Sequence, residues 1–151
     1  MGRKWVALAV FLVLVAGGGL AIGYVTAPGE WYAQLAKPAF NPPPWVFGPA
    51  WTTLYILIAV AGWRVWRRDR GGWAMTLWWV QLGLNFAWSP VFFGAHRIGL
   101  ALVIVVMLLA VILAFMAAAW RRVPVAAWLF APYAAWVAFA SALNASIWSL
   151  N

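Results

Sequence analysis

Residues 31–55 read WYAQLAKPAFNPPPWVFGPAWTTLY, and this stretch decides how the rest of the chain is interpreted. Its five prolines fix φ and remove backbone donors, so residues 37–44 are predicted to form neither a regular helix nor a central strand. The same stretch carries seven aromatic side chains, Trp31, Tyr32, Phe40, Trp45, Phe47, Trp51 and Tyr55. A stiff, aromatic connector suits either a lid over a cavity or an ordinary external loop with an aromatic belt.

Composition places the chain in a membrane. Hydrophobic residues make up 68% of the 151 positions and charged residues only 8%, against about 25% charged in soluble domains. The net charge of +8 would suggest nucleic acid in a soluble protein, but here the basic residues flank apolar runs, so no nucleic-acid partner is expected. The absence of cysteine excludes disulfides, thiolate metal sites and a cysteine nucleophile.

Five long apolar runs follow one another along the chain. They predict an all-α, polytopic bundle of five transmembrane helices in a single domain, residues 1–151. The helices are expected at about 5–25, 46–66, 73–93, 98–120 and 124–148, with residues 26–45, here called the lid, as the first loop. The basic start before the first run also fits a signal peptide, but a run of about 20 residues is long enough to span a bilayer.

The basic residues are distributed asymmetrically between the two sides of such a bundle. Lys37 and Arg97 fall on one side, and the other eight fall on the opposite side: Arg3, Lys4, Arg64, Arg67, Arg68, Arg70, Arg121 and Arg122. The positive-inside rule then predicts a cytoplasmic N-terminus, with the lid and the C-terminus extracytoplasmic.

The third run carries polar residues on one face. Positions 81, 85, 88 and 92 lie within roughly 60° of one another on a helix, and they read Gln81, Asn85, Trp88 and Phe92. We expect this face to line a pocket. The alternative is that Gln81 and Asn85 only hydrogen-bond neighbouring helices, for which about 1 kcal/mol each would suffice.

The opposite face of the third run carries mostly small side chains. It presents Thr76, Val80, Gly83 and Ala87, small residues that let another helix approach closely. We therefore expect a homodimer that meets across Gly83 and Ala87.

Two other runs also present rings on one face. The second carries Trp51 and Tyr55, and the fifth carries a face with Tyr133, Trp136, Ala140, Leu143 and Ile147. Because Ala140 follows Trp136 by one turn, it leaves space beside the indole. Rings from three helices and an amide, under an aromatic lid, predict a cavity for a large, flat, mostly apolar molecule. An ordinary aromatic core is the alternative.

Conventional catalysis has little support in the sequence. The only carboxylates, Glu30 and Asp69, fall on opposite sides of the bundle, so no acid/base pair is expected. His96 is the only histidine and has no second ligand, which favours an interfacial residue over a haem or metal ligand. No metal site, no required cofactor and no firm catalytic residue are predicted.

Four motifs carry a resemblance to a known family. They are W-Y-x-x-L-x-K-P at 31–38 followed by N-P-P, V-F-x-P-x-W-T-x-L-Y at 46–55, Q-L-x-L-N-x-x-W-S-P-x-F-F at 81–93, and P-Y-x-x-W-x-x-F-A-x-x-L-N-x-x-I-W-x-L-N at 132–151. In these the chain resembles the TspO/translocator protein family, the tryptophan-rich sensory proteins of bacteria and the mitochondrial peripheral benzodiazepine receptor. The resemblance implies five transmembrane helices, commonly a homodimer, in a bacterial membrane.

The resemblance also implies ligands and positions. Family ligands are porphyrins, cholesterol in some members, and isoquinoline or benzodiazepine-type drugs. Carried over by motif, the ligand-binding residues would be Tyr32, Trp51, Asn85, Trp88, Trp136, Ala140 and Leu143. Trp51 and Trp136 also match tryptophans implicated in light-dependent porphyrin breakdown, which makes them the only catalytic candidates. Residues 144–151, NASIWSLN, lack the Tyr and Lys/Arg of the sterol pattern, so sterol binding is the least expected activity.

The resulting functional hypothesis is a membrane receptor or sensor for tetrapyrroles such as protoporphyrin, one that regulates porphyrin levels. The alternatives are an enzyme-like, light-dependent porphyrin degrader and a porphyrin or lipid transporter. Binding is favoured because the pattern predicts a pocket, whereas no span carries the ionisable group expected of a proton-coupled pump.

Overall fold

A computed structural model describes residues 2–151 of the chain. Within those residues the chain forms six helices and no strand, which confirms the all-α prediction. The helix predicted at 5–25 starts at Gly2, the one predicted at 46–66 ends at Asp69, and the one predicted at 73–93 ends at Ser89. The other ends lie within two residues of prediction. In chain order the helices are α1 (Gly2–Val25), α2 (Glu30–Ala33), α3 (Pro44–Asp69), α4 (Trp73–Ser89), α5 (Ile98–Ala119) and α6 (Pro124–Leu150).

Four of these helices, α1, α3, α5 and α6, are long and apolar enough to cross a membrane. The chain is therefore an integral membrane protein. The remaining long helix, α4, has 17 residues and carries Gln81 and Asn85 among its buried side chains. A π-helical turn, Pro90–Gly94, continues α4 towards the lid.

Proline and histidine shape the end of α4. Pro90 has no N–H to donate, and the helix widens there, so that the Ala95 N–H donates to the carbonyl of Pro90, five residues back, at 2.8 Å. His96 then adopts a left-handed conformation, with φ of 57°, which histidine tolerates better than most residues. These two features turn the chain into α5.

The middle of the bundle is held by Trp78, whose side chain is fully buried. Its indole lies against the backbone of α3 at Gly62, where any side chain would collide with the ring. There the Trp78 Nε1 donates to the carbonyl of Ile58 at 2.9 Å. Glycine thus allows α4 to approach α3 closely, as small residues do in membrane bundles.

The two ends of the bundle differ in chemistry. At one end, Trp63 Nε1 donates to the carbonyl of Lys4 at 2.9 Å, and Arg122 pairs with Asp69 at 2.8 Å. These contacts bring the start of α1, the end of α3 and the start of α6 together, so the two main basic clusters share one end. The lid and residue 151 lie together at the other end.

Candidate ligand cavity beneath the lid

A cavity of about 650 Å³ lies at the lid end of the bundle. Residues of α1, α3, α4, α5 and α6 form its walls, and lid residues such as Tyr32 and Asn41 cover it. Its size falls within the ~300–1,000 Å³ of pockets that hold drug-sized ligands. The lid, expected to be either a cover or an ordinary external loop, here covers a cavity.

All seven sequence-predicted binding positions line this cavity. One comes from α2 in the lid, one from α3, two from α4 and three from α6: Tyr32, Trp51, Asn85, Trp88, Trp136, Ala140 and Leu143. Residues far apart in sequence therefore converge on a single space. Their role in binding a ligand stays a prediction.

Interlocked rings form the wall between α3 and α6. The ring centroids of Trp51 and Trp136 are 6.4 Å apart with the planes at 88°, and Phe47 meets Trp136 at 5.9 Å and 76°. Tyr55 extends this wall, 5.5 Å from Trp51. Edge-to-face contacts of this kind are favourable beyond simple burial, so they hold the indoles in place while one side of each faces the cavity.

A second group of rings joins the lid to the end of α4. Tyr32 packs on Phe93 at 5.3 Å, and Trp88 packs on Phe92 at 5.2 Å. Phe92 in turn contacts Phe93 at 4.8 Å. The lid is therefore packed on the rings of α4.

Buried polar side chains connect α4 with α6 at the base of the cavity. Asn85 Nδ2 donates to the Tyr133 hydroxyl at 2.7 Å, and that hydroxyl donates to Gln81 Oε1 at 2.8 Å. Asn85 thus combines the two roles left open by the sequence, since it joins helices and also lines the cavity. Gln81, expected on the pocket face, lies fully buried behind the wall instead.

Asn144 forms a second polar junction. Trp88 Nε1 donates to Asn144 Oδ1 at 3.0 Å, and Asn144 Nδ2 donates to the carbonyl of Ile98 at 3.1 Å. One amide therefore links α4, α5 and α6, and it fixes the orientation of the Trp88 indole at the cavity wall.

Three contacts fasten the lid to the helices around it. The side chain of Asn151 both accepts from the Ala36 N–H at 3.1 Å and donates to the Ala36 carbonyl at 2.9 Å. Trp31 stacks on His96, with centroids 4.1 Å apart and planes at 10°. Thr26 shares a hydrogen bond of 2.6 Å with Ser89. The lid is thus tied to α6, to the turn before α5, and to α4.

The Tyr32 phenol lies partly buried in the lid. Burial raises the pKa of Tyr32 above its ordinary value, and a hydrogen bond with the side chain of Asn41 offsets part of that rise. Tyr32 is therefore a neutral phenol at physiological pH, with the Lys37 ammonium 4.5 Å from its ring centre. Within residues 2–151, Asn41 Oδ1 and Trp136 Nε1 are buried without a partner, which leaves an acceptor and a donor beside the cavity.

Several cavity residues were missed by the sequence interpretation. On α1, Gly19 and Gly23 line the cavity, and the Tyr55 ring packs directly against Gly19. The spacing of these glycines by four is a signal that could have placed α1 in the wall. On α5, Val105 and Leu108 also line the cavity, but nothing distinguishes them in a uniformly apolar helix.

Two further predicted features lie outside the cavity. Gly83 is exposed on the outside of α4, with no heavy atom within 4 Å of where a side chain would begin, and Ala87 is partly exposed one turn later. As for metals, no group of three or more His, Cys, Asp or Glu side chains in the described part of the chain is placed to hold an ion.

The fold and the cavity together define a small polytopic membrane protein whose helices surround an aromatic chamber closed by its first loop. Comparison with known proteins identifies the family to which the chain belongs. A model of the TspO/MBR family matches residues 9–149, and the chain belongs to that family, as the motif resemblance indicated.

Individual proteins from different organisms are also similar to this chain. Over 160 residues, the chain is 41% identical to the translocator protein of Ovis aries, covering 100% of this chain and 94% of the relative. It is 37% identical over 147 residues to protein CrtK of Rhodobacter capsulatus (95% and 91%). It is 38% identical over 121 residues to the tryptophan-rich sensory protein of Cereibacter sphaeroides (80% and 76%).

The Tyr133 junction makes a prediction for stability. Tyr133→Phe removes the hydroxyl and leaves Gln81 and Asn85 each without a partner, so we expect unfolding to become easier by about 1–3 kcal/mol. The measurement is a titration from mild detergent into SDS, followed by helicity. Tyr24→Phe is the matched control, because Tyr24 is 86% exposed, and it should change stability by less than ~0.5 kcal/mol. Equal effects of both substitutions would contradict the role of the hydroxyl.

Proposed function

We propose that the protein is a membrane receptor that binds tetrapyrroles such as protoporphyrin in the cavity beneath the lid. One observation carries the proposal: rings from three helices and the lid converge, with the Asn85 amide, on one 650 Å³ space. Membership of the TspO/MBR family supports a sensor or receptor role in a membrane. Regulation of porphyrin levels would follow from such binding.

The chemistry of the walls favours a flat, apolar ligand with polar edges. Indole faces from Trp51 and Trp136 suit stacking or edge contact with a macrocycle. At the lid, the Lys37 ammonium beside Tyr32 suits a carboxylate at the ligand's edge. The same walls suit isoquinoline and benzodiazepine-type drugs, which we expect to compete with protoporphyrin.

We also propose that the chain crosses the membrane five times, with its N-terminus in the cytoplasm and the lid and C-terminus outside. Residues 73–94 form a continuous helical path of about 33 Å at ~1.5 Å per residue, which matches a hydrocarbon core of ~30 Å. The gathering of the basic clusters at one end of the bundle supports this orientation under the positive-inside rule.

Filling the cavity tests the binding proposal. Protoporphyrin should quench tryptophan fluorescence saturably, in the roughly micromolar range. Ala140→Phe places a ring in the cavity beside Trp136 and should weaken binding about tenfold or more. Ala138→Phe adds the same ring to the exposed side of the same helix, so affinity should be unchanged.

The tryptophan pair supplies an independent readout. In the Trp51→Phe plus Trp136→Phe variant, two of the three indoles that line the cavity are gone, so the amplitude of quenching should fall. An amplitude equal to that of the unmodified protein, or equal losses of affinity from both alanine variants, would refute this cavity as the binding site.

The contact between Trp51 and Trp136 favours a second candidate, light-dependent breakdown of the bound porphyrin. Light would excite the porphyrin, dioxygen would be the oxidant, and the two adjacent indoles are oxidisable groups beside the macrocycle. No acid/base pair is needed for this chemistry.

Illumination of the complex in air separates this candidate from simple binding. A bilin-like absorbance should appear, should require dioxygen, and should be lost in Trp136→Phe. Trp128→Phe is the control, because Trp128 is 65% exposed on the same helix and does not line the cavity. If the illuminated complex of the unmodified protein gives no new absorbance, light-dependent breakdown of the porphyrin is refuted.

We further propose a homodimer that meets across Gly83 and Ala87, supported by the open outer face of α4. Gly83→Leu with Ala87→Leu should give a folded monomer in detergent, measured by light scattering. Val103→Leu with Val106→Leu alters an exposed face of α5 and should leave the dimer intact. A dimer that persists in the α4 variant would refute this face.

A further inference from the structure

A second concavity lies at the opposite end of the bundle from the lid. This basic-end groove has a volume of about 400 Å³ and shares no residue with the lid cavity. It runs between α1, α3 and α4, and its walls are Arg3, Val6, Ala7, Val10, Phe11, Leu14, Trp66 and Trp79.

The floor and sides of this groove are apolar. The Phe11 ring is buried between Trp66 and Trp79, with centroids at 6.2 Å and 6.4 Å respectively. Val6 and Val10 are 62% and 59% exposed along one side. In a membrane protein, an open apolar groove on the outside of the helices faces lipid rather than water.

The mouth of the groove is cationic. Arg3 forms part of the wall, and the Arg70 guanidinium lies 4.0 Å from the centre of the Trp66 ring. In the described part of the chain, the ion pair present is Arg122 with Asp69, so neither Arg3 nor Arg70 has a carboxylate partner. Arg3 lies in the wall and Arg70 lies over the ring of the wall residue Trp66. Positive charge at the end of an apolar groove would attract an anion with a hydrocarbon tail.

The length of the groove fits one leaflet. From Arg3 to Leu14 the helix rises about 16 Å at ~1.5 Å per residue, and half of a ~30 Å hydrocarbon core is about 15 Å. An acyl chain in the groove would therefore reach the middle of the bilayer while its headgroup stays level with the arginines.

We propose that the basic-end groove binds an anionic phospholipid, with one acyl chain against Phe11, Trp66 and Trp79 and the headgroup phosphate on Arg3 and Arg70. A free anion would leave the apolar floor uncovered. A second copy of this chain, docked by two-fold symmetry, would bring two sets of unpaired arginines together, so charge favours the lipid.

Native mass spectrometry with phosphatidylglycerol and phosphatidylcholine of identical acyl chains, added in equal amounts to the protein in detergent, tests the headgroup. We expect phosphatidylglycerol to be retained preferentially. Arg3→Gln with Arg70→Gln should lower its retention about thirtyfold, the scale expected for two basic residues near an anionic surface. Arg64→Gln with Arg121→Gln removes the same charge from the same end, outside the groove, and should leave retention unchanged.

Filling the groove with a large side chain tests whether an acyl chain binds there. Val10→Trp should abolish preferential retention, whereas Val13→Trp, at another exposed valine on α1 that does not line the groove, should preserve it. Equal retention of the two lipids, equal losses in both arginine pairs, or no effect of Val10→Trp would each overturn the proposal. Loss of a dimer in Val10→Trp, without loss of lipid, would assign the groove to a second copy instead.

Discussion

The structure depends on one requirement of a helix bundle in lipid, which is that buried polar side chains must find partners within the bundle. The Tyr133 hydroxyl meets this requirement for the Gln81 oxygen and the Asn85 Nδ2, and Asn144 meets it for the Trp88 indole N–H. These hydrogen bonds join α4 to α6 at defined positions along the two helix axes. Because α4 buries the amides of Gln81 and Asn85, these partners on α6 help to fix its position in the bundle.

The same junctions explain why the cavity remains open. Trp88 is held by Asn144 and Trp136 is held by Phe47 and Trp51, so these large rings are fixed at the wall and do not collapse into the space between them. Small residues in the cavity walls, Gly23 and Ala140, then leave volume beside these rings, and no heavy atom lies within 4 Å of where a Gly23 side chain would begin. Rigid rings opposite small residues are a simple way to maintain a void in a closely packed protein.

Much of this arrangement was predictable. Apolar runs and basic clusters gave helix bounds close to those observed, and helical periodicity with the family motifs placed Trp51, Asn85 and Trp136 on one space. Periodicity gives a face but not a partner, so it put Gln81 on the pocket wall although its oxygen bonds Tyr133 behind that wall. The contribution of α5 had no signal, because Val105 and Leu108 resemble their neighbours in a uniformly apolar helix.

The amide of Asn151 that grips the peptide group of Ala36 has a practical consequence for handling the protein. An affinity tag or fluorescent reporter attached at residue 151 would lie beside the lid and would strain the contact between Asn151 and Ala36. The same fusion placed before Gly2 would sit at the far end of the molecule, about 40 Å away along a helix the length of α6. A tag before Gly2 and a tag after residue 151 are therefore not equivalent, because only the former leaves the lid undisturbed.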